Sequence, residues 1–154
     1  MSGDGNMILG DGFEETKHIE QCYIGAVLID ADVLDMCKAS QIGVEAFGDQ
    51  FNRKVVAAMF QLSEQDLGVD IATVSKALQE AGEENAFLDV INFTEKVNST
   101  MHAKSHWTLI LEAWKLRNFN ELVQKLGLIS LESKSWSDAH EKSLELIDAL
   151  GDTH

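Results

Sequence analysis

His102 and His106 stand four residues apart, the spacing that sets two imidazoles on one face of a helix, where they can share a metal ion. The pair lacks the glutamate of H-E-x-x-H and has no evident third ligand, so no metal site is assigned. His18 and His140 read as surface or capping residues, and His154 is terminal. The only cysteines, Cys22 and Cys37, fall on apolar helical faces without zinc-site spacing, and read as reduced core residues. Carboxylates are plentiful, among them Glu14, Glu15, Glu83 and Glu84. Paired catalytic carboxylates need a cleft that shifts their pKa values. These fall at helix starts or in loops, where they complement the helix dipole. There is no Gly-Lys pair, hence no P-loop, and no G-x-G-x-x-G, G-x-S-x-G or Cys-x-x-Cys. No catalytic residue, metal or cofactor is expected in this chain.

The apolar residues carry more information. Of 154 residues 45% are hydrophobic, enough for one domain with its own core. Twelve Lys and Arg stand against 26 Asp and Glu, for a net charge of −14, and only Arg53 and Arg117 are arginines. A phosphate-neutralising cluster is missing, so direct nucleic-acid binding is not expected. No apolar run approaches the ~18 residues that span a bilayer. Met1 to Gly12 is rich in Gly and Asp, unlike a secretory signal peptide. A soluble, cytoplasmic protein without a membrane partner is the expectation.

Proline is absent, which favours helices joined by short turns. A first helix is predicted from about Thr16 to Ile29, with Ile19, Cys22, Tyr23, Ala26 and Val27 on one face. Gly25 inside it costs ~1 kcal/mol relative to Ala, a cost that a closely packed second helix would explain. Asp30 caps a short helix carrying Val33, Leu34, Met36 and Cys37, and Phe47 anchors the following loop. A third helix starts near Asp49 with Val55, Val56, Met59, Phe60 and Leu62, and Gly68 breaks it. Asp70 caps a fourth with Ile71, Val74, Ala77, Leu78 and Ala81, ended by Gly82. A fifth shows Ala86, Phe87, Val90, Ile91 and Val97.

After Asn98, Ser99 and Thr100 a helical stretch runs from about Met101 to Leu131. Trp107, Ile110, Leu111 and Trp114 suit packing on the preceding domain; Leu116, Phe119, Leu122, Val123, Leu126 and Ile129 continue beyond it. Ser135 and Asp138 resemble a capping box before a last helix with Ala139, Leu144, Ile147 and Leu150. Such a hairpin has little core of its own. Its seam, Phe119, Leu122, Val123, Leu126, Ile129, Leu144, Ile147 and Leu150, is expected to meet a second copy of itself. Trp136, at the turn, is either a hydrophobic staple or a partner contact. The expected fold is all-α: a flexible tail over 1–15, a compact head of about five to six helices over 16–100, and a long helix with a helical hairpin for oligomerisation over 101–154.

The order of motifs adds a resemblance. Glu20-Gln21 followed by Ile24-Gly25-Ala26-Val27-Leu28-Ile29-Asp30 resembles the E-Q-x-x-L-G-x-L-x-x-D opening of the N-terminal domains of DnaB-type replicative helicases. Val44-Glu45-Ala46-Phe47 sits at that family's acidic-plus-Phe loop, and Asn52-Arg53-Lys54-Val55-Val56 is similar to its [HN]-R-x-I-F helix start. Leu62 and Gly68 to Val74 resemble L-x(5)-G-x-P-x-D-x-x-T-[VL]. Asn98 to Ala103 takes the place of its polar connector, and His106 to Arg117 falls at its Y-A-x-I-V-x-E-x-x-x-x-R. The missing prolines, and a missing Gly-Gly after the fourth helix, mark a divergent member, as from a phage or mobile element.

The resemblance implies a collar domain that self-associates as a dimer or higher oligomer through its hairpin and docks primase or a helicase loader in DNA replication. The chain stops at His154, where the family continues into a linker helix and a RecA-like ATPase. Two expectations follow: a fragment of a helicase, or a stand-alone mimic that binds a replicative helicase and regulates or loads it.

Overall fold

Aspartate side chains start three of the helical segments, and positive-φ residues stop three. In the computed structural model the backbone is described for residues 2–151 and the side chains for residues 12–149. The helices are α1 (Ser2–Ile29), α2 (Asp35–Ser40), α3 (Gln50–Glu64), α4 (Ile71–Glu80), α5 (Ala86–Glu95), α6 (Ala103–Glu132) and α7 (Trp136–Gly151), with 3-10 turns at Ala31–Leu34 and Val44–Ala46. No strand occurs among the described residues, and the fold is all-α. Helix α1 starts well before Thr16, where the apolar periodicity begins.

The Asp30 side chain accepts from the Asp32 amide, that of Asp49 from Asn52 N at 3.0 Å, and that of Asp70 from Thr73 N at 2.9 Å. The Thr73 hydroxyl in turn accepts from Asp70 N, closing a capping box that satisfies two otherwise free amides. At the end of α4, Gly82 takes φ 99°, Gly82 N donates to Gln79 O and Glu83 N to Leu78 O, each at 3.0 Å. That is a Schellman motif. Helix α3 ends the same way, but the left-handed residue is Asp66 (φ 57°), with Leu67 N donating to Leu62 O. The break falls at Asp66, two positions before the Gly68 expected from sequence.

Two compact units divide the chain, residues 1–114 and 115–154, and the division lies inside α6. In the first unit the centre of α1 is buried on all sides: Tyr23, Ile24, Ala26 and Val27 are at most 1% exposed. The cost of Gly25 has a structural reason. A Cβ at that position would lie 2.2 Å from the Phe93 carbonyl oxygen, so α5 crosses α1 at backbone contact and only glycine fits. Phe93, with Ala86 and Val90, forms the buried stripe of α5, and its ring stacks on Phe51 at 6.0 Å. Phe87, expected on that stripe, is exposed, and Val97 lies beyond the helix.

Helix α6 enters the same core through Ala103, Trp107, Ile110 and Trp114. Tyr23, Phe47 and Trp107 form a triangle of rings with centroids 5.4–6.2 Å apart. The polar ends of two of them are satisfied, as buried Tyr and Trp require. Tyr23 Oη donates to Val33 O at 2.8 Å, and Trp107 Nε1 donates to Ser40 Oγ at 3.2 Å. Cys22 and Cys37 are free and buried. Burial pushes both thiols up, Cys37 to about 11, so they stay protonated.

Candidate functional site

Carboxylates are costly to bury unless hydrogen bonds replace the lost water. Glu20 is a buried carboxylate whose lost water is replaced in this way. It is fully buried and accepts from Gly48 N at 2.7 Å, Asp49 N at 3.3 Å and Asn52 Nδ2 at 3.0 Å. Those amides open α3, so the charge also meets the positive end of that helix. The Glu20-Gln21 pair therefore contains a clamp that fixes the 47–49 loop on α1.

The histidines converge more than their spacing indicated. His102 and His106 have ring centroids 6.4 Å apart, as expected for one helical face. His18 from α1 also acts on His106, and His18 Nε2 lies 3.6 Å from Cys22 Sγ. Burial, then His102 and His18, pull the His106 pKa below its ordinary value. Even so, among the described residues no three His, Cys, Asp or Glu groups are placed to hold one metal ion. No described helix is long and apolar enough to cross a membrane.

The second unit differs in kind. From residue 115 to 149 not one described side chain is buried. Helix α6 leads through the turn at 133–135, where Ser135 Oγ accepts from Asp138 N at 3.2 Å, into α7. Half-buried residues mark the faces that the two helices turn to each other: Leu122, Leu126, Ile129 and Ser133 on α6, Ala139, Ser143 and Leu146 on α7. Both sets follow the i, i+4, i+7 rule.

Beside each lies an exposed apolar stripe. On α6 it consists of Leu116, Phe119 and Val123; on α7, of Trp136, Leu144 and Ile147, with His140 stacked on Trp136 at 5.2 Å. In both helices the exposed stripe follows the half-buried one in the same rotational sense, at about 100° per residue. Because a short turn makes neighbouring helices antiparallel, the two stripes open on the same side of the hairpin. Of the seam expected from sequence, Phe119, Val123, Leu144 and Ile147 are thus exposed, while Leu122, Leu126 and Ile129 lie half-buried within the hairpin. The Leu150 side chain lies outside the described residues. Leu131, 84% exposed, was not part of that expectation and lies about half a turn from the half-buried face.

Charge divides along the same line. Residues 1–114 contain 19 Asp and Glu against 7 Lys and Arg; residues 115–154 contain 7 against 5. The hairpin is close to neutral and the head strongly acidic.

Comparison with known proteins bears on this arrangement. Residues 14–112 match the family described as DnaB-like helicase N terminal domain. The replicative DNA helicase DnaB of Rhodothermus marinus is 33% identical over 102 residues, which are 64% of this chain and 11% of that protein. This chain therefore spans a small part of that curated relative. The crystal structure of the N-terminal domain of DnaB helicase from Mycobacterium tuberculosis superposes with a TM-score of 0.74, covering 86% of this chain and 95% of that one at 16% identity, which establishes likeness of fold.

Proposed function

The chain belongs to the DnaB-like helicase N terminal domain family, and on that premise we propose that it is a non-catalytic assembly domain in DNA replication, joining copies of itself through the hairpin and docking a replication partner with its head. The observation that carries this reading is the uncovered apolar side of the hairpin. Six large apolar side chains open on one side of a unit in which no described side chain is buried. An apolar patch of that kind marks a protein contact. A second copy is its simplest occupant, since a two-fold axis pairs the patch with itself and the near-neutral hairpin opposes this little. The head repels its own kind and nucleic acid alike, and fits a partner whose surface is rich in Lys and Arg. Primase or a helicase loader would supply such a surface.

Replacing both Phe119 and Val123 by Asp tests the assembly. Carboxylates facing each other across the two-fold axis should turn an oligomer into a folded monomer, read by light scattering with far-UV circular dichroism unchanged. A double variant with the oligomeric mass of the parent removes the outer stripe from the interface.

A further inference from the structure

We propose that His106 is a proton-operated latch at the place where the first turns of α6 pack on α1: neutral, it lets those turns seat; protonated, it loosens them. The ring is half-buried between Ala103 and Trp107, both core residues, and its Nδ1 is buried with no hydrogen-bond partner. In the neutral ring that nitrogen can be an acceptor left idle. In the imidazolium both nitrogens are donors, and a charged N–H would then be buried without an acceptor, a costlier state than an idle lone pair.

The neighbours compound this. Across from His106, α1 presents His18 and the Cys22 thiol; the segment after α5 brings Lys96, whose carbonyl oxygen lies 4.0 Å from Cys22 Sγ; on its own side stands His102. The charged groups that bear on it, His102 and His18, are both imidazoles, and each disfavours a proton on His106.

The direction of the pH effect follows. In the unfolded chain His106 titrates near 6.5, and in the fold its pKa lies below that value. Above about pH 6.5 neither state binds the proton and the latch is fully seated. As pH falls from there through the lower folded value, the unfolded or loosened form takes up the proton more readily and the contact weakens. Bases on two segments far apart in sequence thus make the start of α6 sensitive to acid.

The test is amide hydrogen exchange of the full chain at about pH 7.5 and about pH 5.5, corrected for intrinsic rates, with the His106→Gln variant in parallel. Acid should raise exchange over residues 103–110 several-fold beyond that of the α3 core in the parent, and the difference should vanish in the variant. Equal acceleration in parent and variant overturns the proposal. Should His106→Gln fail to fold, the His106 ring titrated by NMR in the parent decides. A midpoint below 6.5, moving together with the amide shifts of residues 103–110, supports the latch; a midpoint at or above 6.5 overturns it.

Discussion

Between Ala103 and Trp114, helix α6 buries four side chains, two of them tryptophans; between Lys115 and Glu132 it buries none. Both halves share one hydrogen-bonded backbone and the same period of apolar residues. The difference is the surroundings. In the first half α1, with Tyr23, and the loop with Phe47 supply walls on which the indole of Trp107 rests. In the second half the neighbour is α7, which covers one narrow stripe and leaves the next one open. An apolar face states what a helix needs, and the fold states whether this chain provides it.

The largest effect that would break this contrast lies in the first half. Trp107→Ala removes an indole that touches two rings and donates to Ser40, and should cost about 3–5 kcal/mol in urea unfolding. A loss below 1 kcal/mol would mean that the head does not depend on α6. The Glu20 clamp is next. Glu20→Gln keeps the shape but replaces a charged acceptor by an amide facing two backbone N–H groups, and should cost about 1–3 kcal/mol by the same measurement. The smallest effect belongs to the second half. Phe119→Ser, 56% exposed in the parent, should change the stability of the dilute chain by no more than about 0.5 kcal/mol, while reducing self-association at high concentration. A large loss in the dilute chain would place Phe119 in a core of its own.

Much of the fold was legible because its signals are local. Asp30, Asp49 and Asp70 announce helix starts through side chains that reach amides two or three residues away, and Gly82 ends α4 because its φ favours glycine. Gly25 stood out as a cost in need of a compensating contact, and the Phe93 carbonyl is that contact. What stayed hidden depends on elements remote in sequence. Phe87 and Phe93 both fit an apolar stripe of α5, and only the crossing with α1 decides that Phe93 goes inward. Asp66 could not be preferred to Gly68 as the end of α3, since an aspartate tolerates the left-handed region without announcing it. In the hairpin, periodicity gave one broad seam, and the structure separates it into a stripe that α7 half covers and a stripe that it leaves open. His18 gave no sign of lying near His106, because nothing local ties α1 to the start of α6.

The burial of the tryptophans has a practical consequence. Trp107 and Trp114 are 5% and 8% exposed and both lie in the head; Trp136 is 78% exposed and lies in the hairpin. The chain thus carries two spectrally distinct kinds of intrinsic fluorophore. Emission on the blue side reports the head, and emission on the red side, open to aqueous quenchers, reports the hairpin. A partner settling on the outer stripe would protect the red component from iodide and leave the blue one as it was, so that assembly and unfolding can be followed in one cuvette without a label.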